Sequence, residues 1–270
     1  MKTIVITGST RGIGFGLADE FLKRGCNVVI SGRSSSSVDK AVAQLAASHK
    51  TSYEAGRIHG CACEVNDLAQ TQALWDSAAA RFGRVSVWIN NAGITNPHQP
   101  LTKLDDATVR AVVNTNLIGA IYGSQVAVRG MLTQGGGQLY NMEGFGSDGR
   151  LGDGLALYGA TKAGLRYLTR ALVRETKNTP VQVCFLSPGI VLTDLWEDLY
   201  RGQPDQWAKT KKIVNILGDK VETVTPWLVE KVLANDKAGA NIKWLTNGKA
   251  FARFMSAPFK KRDLFAETIT

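Results

Sequence analysis

Short continuous apolar runs alternate along the chain with longer stretches whose apolar positions recur every three or four residues. The runs are Thr3–Thr7, Asn27–Ser31, Arg57–Cys63, Val85–Ile89, Gly137–Met142 and Val181–Leu186, with a further short one near Ile242–Leu245. Apolar on both faces of the pleat, they read as strands covered on both sides. Helical spacing predicts helices from about Ile13 to Arg24, over Val38–Ala47, over Leu68–Phe82, from Asp105 to about Gln125, and from Tyr158 to about Thr176. Strand and helix alternate without a repeat or a linker. That order predicts an α/β chain with a doubly wound parallel sheet in a three-layer α/β/α stack, its ligands outside the carboxyl ends of the strands. A length of 270 residues fits one domain spanning residues 1–270.

Candidate chemistry falls where that architecture puts ligands. After the first strand come Gly8, Ser9, Thr10, Arg11, Gly12, Ile13 and Gly14. Gly8 suits a tight turn, Gly12 lets backbone approach a pyrophosphate, and Gly14 allows close helix–strand packing, so the first helix aims its N-terminus at an anion. The fold is therefore Rossmann-like, although the spacing is G-x-x-x-G-x-G. The second strand ends in Gly32, Arg33 and Ser34. A site preferring NADH would carry an acid there to bond the ribose 2′-hydroxyl, whereas arginine pairs a 2′-phosphate. Arg33, with Arg11 beside it, points to NADPH. Glu64 and Val65 close the third strand. Asn91, Ala92 and Gly93 follow the fourth, where small residues let backbone approach a ligand and amides can tie neighbouring strands.

The pair Tyr158 and Lys162 is spaced so that both share one helix face. A nearby ammonium favours the phenolate, so lysine is expected to lower the tyrosine pKa toward working pH, which suits proton exchange with a carbonyl or alcohol. Asn116 lies within the preceding long helix, where a buried asparagine requires partners. Beyond the sixth strand, Asp194–Ala208 carries Leu195, Trp196, Leu199, Tyr200 and Trp207. This aromatic stripe reads either as core or as a substrate lid over about residues 194–215, with Leu195, Trp196 and Tyr200 facing an apolar substrate.

Composition changes the picture in three ways. The formal charge of +9 favours anionic ligands or surfaces. Its cations concentrate in a basic C-terminal extension over about residues 247–270, where Lys249, Arg253, Lys260, Lys261 and Arg262, with Lys243 before them, interleave with Phe251, Phe254, Met255 and Phe259. That pattern reads as a solvated face or as peripheral contact with an anionic membrane or with a protein that holds the substrate. No nucleic-acid motif accompanies the charge. Four scattered cysteines point to free thiols in a reducing compartment, and Cys61-x-Cys63 lacks metal-ligand spacing, so no metal site is expected. A strand starting beside Met1 leaves no room for a signal peptide, and no apolar run suits a membrane span. The expected location is cytoplasmic.

Together, the glycine turn from Thr7 to Gly14, Asn90-Asn91-Ala92-Gly93, Asn116, Tyr158-Gly159-Ala160-Thr161-Lys162 and Ser187-Pro188-Gly189 resemble the short-chain dehydrogenase/reductase family over nearly the whole chain. The resemblance implies Tyr158 as general acid/base, Lys162 as ribose contact, Asn116 as holder of a water, and Pro188, Gly189, Val191 and Thr193 around the nicotinamide. It also implies a homodimer or homotetramer built on the long helices. One stretch departs from the pattern. Where the family carries N-x-S-S, this chain reads Asn141-Met142-Glu143-Gly144, and the next serine is Ser147. Ser147 either takes over the bond to the substrate oxygen or is a loop serine. The departure, with Asn215-Ile216-Leu217, Glu222-Thr223-Val224 and Trp244-Leu245-Thr246, is similar to chlorophyll b reductases. That similarity implies NADPH-dependent reduction of the C7 formyl group of chlorophyll b, a pigment-holding protein as the peripheral partner, and the plastid stroma or thylakoid surface as the location in a plant. The alternatives are another hydrophobic aldehyde or ketone (steroid, quinone, acyl thioester) and an NADP-binding scaffold without catalysis.

Overall fold

A computed structural model describes residues 1–260 and 262–265. Seven parallel strands form one sheet in the order β3-β2-β1-β4-β5-β6-β7. They are β1 (Thr3–Ile6), β2 (Asn27–Gly32), β3 (Ile58–Ala62), β4 (Val87–Asn90), β5 (Gly137–Met142), β6 (Val181–Ser187) and β7 (Asn241–Lys243). The strand order reverses between β1 and β4, whose register pairs Ile4 with Val87 and Ile6 with Ile89. This reversal opens a crevice at the carboxyl edge.

Alternate residues of each strand feed two cores. Ile4, Ile6, Val28 and Ile30 pack with Leu17 and Phe21 of α1 (Gly12–Lys23) and with Leu228 and Val232 of α10 (Val221–Ala234). Val5, Val29 and Trp88 face the other way, toward Leu74 and Trp75 of α4 (Leu68–Phe82) and Met131 of α6 (Gly119–Thr133). The remaining helices are α2 (Ser35–Ser48), α3 (Lys50–Glu54), α5 (Asp106–Val113), α7 (Ala156–Glu175), α8 (Leu195–Tyr200), α9 (Pro204–Leu217) and α11 (Asn247–Ser256).

The helices α8, α9 and α11 add to the five expected from spacing, and three further elements depart from the expectation. The helix expected from Asp105 to about Gln125 is interrupted by a π-helical turn at Asn114–Ile118 and then runs on to Thr133. Such turns widen the backbone ladder by one residue and turn side chains off the regular stripe. The helix α10 was not expected at all. Pro226 inside it removes one backbone donor, a usual sign of a break, yet Val224, Leu228, Val229 and Val232 are buried and packing overrides the local cost. The short α3 was likewise unforeseen.

A polar spine crosses the sheet under the crevice. Trp88 Nε1 donates to Asn90 Oδ1 (2.8 Å), Asn90 Nδ2 donates to Asn141 Oδ1 (2.8 Å), and Asn141 Nδ2 donates to Thr169 Oγ1 on α7 (2.9 Å). Every link is buried, so the chain of amides fixes the relative heights of β4, β5 and the helix carrying Tyr158.

Candidate active site

The crevice is a cleft of about 830 Å³ running from the glycine turn to α8, α9 and α11. At its cofactor end, Gly8 (φ +62°) and Gly12 (φ +57°) hold left-handed backbone that favours glycine. A Cβ on Gly8 would lie 2.8 Å from Ala92 Cα, and one on Gly14 would lie 2.5 Å from Asn91 Nδ2. Asn91 ties the two loops together, donating from Nδ2 to the carbonyls of Thr7 and Gly8 (2.9 Å each). Helix α1 starts at Arg11 without a side-chain cap and without an acid in its first turn. That leaves an uncapped positive helix end aimed at the cleft, which suits a pyrophosphate. A nicotinamide dinucleotide fits this end by shape and charge.

Of the residues expected on the cofactor side, all but Ser9 and Ser34 line the cleft. Ser9 is fully buried and braces the turn, donating to the Ile6 carbonyl (2.7 Å) and accepting from the Ser31 amide (2.9 Å). Ser34 caps α2, accepting from the Ser37 amide. Arg33, beside Gly32, and Arg11 both line the cleft, and Arg11 already holds one exposed ion pair. Its guanidinium pairs with Asp194 at the base of the lid (2.9 Å).

At the reaction end, Tyr158 and Lys162 share a face of α7, and Lys162 Nζ sits 5.8 Å from the centre of the tyrosine ring. The ammonium donates to the Met142 carbonyl (3.1 Å). The expected lowering of the tyrosine pKa is not what these groups produce. Burial pushes Tyr158 up to about 12. Burial also brings Lys162 down to about 8, opposed by the charge of Glu143. Desolvation of the phenol is the cause of its shift, and the nearby ammonium donates to the Met142 carbonyl rather than to the tyrosine oxygen. Tyr158 thus keeps its proton at neutral pH, the state a proton donor requires.

Asn116, in the π turn, does not line the cleft. Its Oδ1 accepts from the Ile94 amide (2.8 Å), and its Nδ2 donates to the Ile94 carbonyl (2.9 Å) and Thr161 Oγ1 (3.2 Å). It clamps the loop after β4 onto α7. Ser147 is buried, lines the cleft, and accepts from the Gly144 amide (3.0 Å). Gly144 ends the Asn-Met-Glu-Gly stretch in which the family serine is expected at glycine or glutamate, and a Cβ there would lie against Tyr158 Oη. The Asn-Met-Glu-Gly departure therefore makes room for the tyrosine hydroxyl.

On the substrate side Leu195, Trp196 and Tyr200 all line the cleft. Trp196 and Tyr200 stack in parallel at 6.3 Å, Trp207 packs on both, and His98 stacks on Tyr200 at 5.0 Å. Lid and core readings of this stripe are both partly right, because the rings pack on one another while two of them face the cleft. His98 and Lys243, also on the cleft wall, were missed because nothing local marks them. The Glu143–Arg166 ion pair (2.6 Å) was missed too.

One buried carboxylate, just after α9, ties the C-terminal segment to the loop after β6. Asp219 accepts from Trp244 Nε1 (2.6 Å), from Arg253 Nη1 and Nη2 (2.8 and 3.0 Å), and from Arg262 Nη2 (2.8 Å). Its amide and carbonyl also bond Ile190 and Leu192 of the loop after β6. Burial alone would raise its pKa, but the Arg253, Trp244 and Arg262 bonds outweigh it and hold the carboxyl below its ordinary value. A depressed folded pKa contributes stability above the unfolded value and loses it as pH falls through the folded one. Asp219→Asn should cost roughly 1–3 kcal/mol in urea denaturation, less than for a fully buried pair because both arginines reach water. The cost should shrink as pH falls below about 4. An unchanged unfolding midpoint at neutral pH would deny Asp219 this role.

The fold and this cleft define the class. The model for "short chain dehydrogenase" matches residues 2–204, and the chain belongs to that family, whose class is the NAD(P)-dependent oxidoreductases. Among particular relatives, it is 37% identical over 262 residues to chlorophyll(ide) b reductase NOL of Oryza sativa subsp. japonica, covering 94% of this chain and 74% of that one. It is 35% identical to "Probable chlorophyll(ide) b reductase NYC1" of Arabidopsis thaliana, covering 91% of this chain and 51% of that one. The chain thus spans about half the length of that relative. A 3alpha-hydroxysteroid dehydrogenase of Mediterraneibacter gnavus is 33% identical, with 72% of this chain and 75% of that one covered. Among solved structures, a gluconate 5-dehydrogenase from Burkholderia cenocepacia in complex with NADP and tartrate superposes with TM-score 0.72 at 26% identity, over 90% of this chain and 94% of that one. No helix among the described residues is long and apolar enough to cross a membrane.

Proposed function

We propose that the protein reduces the C7 formyl group of a chlorophyll(ide) b-type substrate to hydroxymethyl, with NADPH as reductant. The observation carrying this reading is the cleft itself. The uncapped end of α1 and Arg33 lie at one end, Tyr158 and Lys162 at its floor, and the Trp196–Tyr200 wall at the other. The nicotinamide supplies the hydride when bound. Tyr158 donates the proton to the carbonyl oxygen, and Lys162 stabilises the phenolate left behind. Ser147 bonds the same oxygen, its hydroxyl held in place by the Gly144 amide. Asn116 fixes the loop at Ile94 and, through the free lone pair of its amide oxygen, has capacity for the water that returns the proton. Arg33 pairs the 2′-phosphate, which favours NADPH over NADH. The preference for a plant-type pigment follows from the NOL and NYC1 relatives, and a plastid location goes with it. Subunits would pair through α5, α6 and α7, where Tyr167 stands exposed.

The test is incubation with chlorophyll b and NADPH or NADH, the products separated by chromatography. A 7-hydroxymethyl product, formed faster with NADPH, is expected. The steroid dehydrogenase relative supports a second reading, reduction of another apolar ketone. Turnover of a steroid ketone without any pigment product would favour it. NADPH binding with no turnover across carbonyls would leave a cofactor-binding scaffold.

A further inference from the structure

The helix α11 has no buried residue and two unlike faces. Its inner face is engaged. Asn247 and Ala250 line the cleft, Lys249 sits 3.0 Å over the Trp244 ring, and Arg253 bonds Asp219. Its outer face is apolar. Phe251 and Met255 are 68% and 63% exposed, Phe254 is 49% exposed, and Phe259, just past the helix, is 89% exposed. The three on the helix follow i, i+3, i+4 spacing and form one stripe. Elsewhere exposed apolar side chains are mostly scattered, which is ordinary, whereas four within nine residues are not.

Two further observations say what covers this stripe. From Lys243 to Arg262 the chain carries six lysines and arginines and no acid. Asp219 neutralises one of these charges and Asp148 lies 3.9 Å from Lys243, while Lys260 stands exposed beside Phe259. The stripe is also joined to the cleft rim. Arg150 donates to Asn247 Oδ1 (2.9 Å), and Leu151, between the cleft-lining Arg150 and Gly152, is 96% exposed. Exposed apolar side chains beside the exposed Lys260, in a segment with six cations and no acid, match the boundary between headgroups and acyl chains of an anionic bilayer.

We propose that the outer face of α11, with Leu151, docks the rim of the cleft on an anionic lipid bilayer, so that an apolar substrate passes from lipid into the cleft. The docking stands apart from which carbonyl is reduced; only the passage of substrate rests on that reading.

The experiment is co-sedimentation of the full chain with vesicles of phosphatidylcholine alone, or of phosphatidylcholine with phosphatidylglycerol, at low and high salt. Binding to the anionic vesicles is expected to exceed that to neutral ones by roughly tenfold or more and to fall with salt. Phe251→Glu with Phe254→Glu should lower it by roughly tenfold or more while NADPH binding stays intact. Three results would overturn the proposal. They are no sedimentation with anionic vesicles, undiminished binding by the double variant, or conversion of a lipid-free oligomer to a smaller one by that variant, which would place a second copy on this face. Failure of the substrate reading would appear only in the pigment assay.

Discussion

Tyr158→Phe will lower carbonyl reduction by roughly 10²–10⁴-fold, the range a positioned general acid supplies, and will leave NADPH binding nearly unchanged. The change removes one hydroxyl at the cleft floor and keeps the ring against Lys162. With Tyr158 pushed up to about 12, the phenol holds its proton across the neutral range and is ready to donate. Its partner sets the alkaline limit. Lys162, brought down to about 8, is cationic below that pH and neutral above it. The ammonium stabilises the phenolate formed as the proton leaves, so reduction should fall as pH rises through about 8. Steady-state rates across pH test both points. Wild-type-like turnover in the phenylalanine variant would remove Tyr158 from the mechanism.

Gly144→Ser will impair the enzyme even though it places a serine in the stretch where the family usually carries one. A Cβ at that position would lie 2.4 Å from Tyr158 Oη and 3.2 Å from Lys162 Cε, so the two side chains at the centre of the proposed chemistry must shift. Displacements of about 1 Å can cost roughly 10²-fold in rate, and a loss of at least that size is expected in kcat. NADPH binding at the glycine turn should remain. Equal or higher activity would mean that Tyr158 occupies another rotamer during turnover and that the serine can serve the oxygen directly. The comparison separates two designs for one task. In one the donor stands on the strand end. In the mechanism proposed for this chain the donor is Ser147, whose hydroxyl accepts from the Gly144 amide.

How legible the site was depended on the range of the signal. Tyr158 and Lys162 could be paired from spacing alone, because four residues on a helix bring two side chains together whatever surrounds them. Gly8, Gly12 and Gly14 could be placed because a turn between the first strand and first helix leaves few conformations open. Local order did not show where polar side chains spend their hydrogen bonds. Ser9 turned inward to brace the turn, Arg11 was drawn to Asp194, and Lys162 was held by the Met142 carbonyl. Each partner lies on another element or faces inward, so sequence spacing is silent about it. The same reason hid α10, where Pro226 argues locally against the helix that burial of Val224 and Leu228 makes stable.

By itself, then, the sequence determined the alternation of strands and helices, the parallel sheet, the phosphate-binding turn and the tyrosine–lysine pair. All of these follow from periodicity and from residues within one or two turns of each other. Only the tertiary structure decided the sign of the Tyr158 shift, the conflict between a side chain at Gly144 and the tyrosine hydroxyl, the ring stack of the lid, and the hub at Asp219. These depend on groups distant in the chain competing for the same space, water or hydrogen bond. That competition is settled only once burial has removed solvent as the alternative partner.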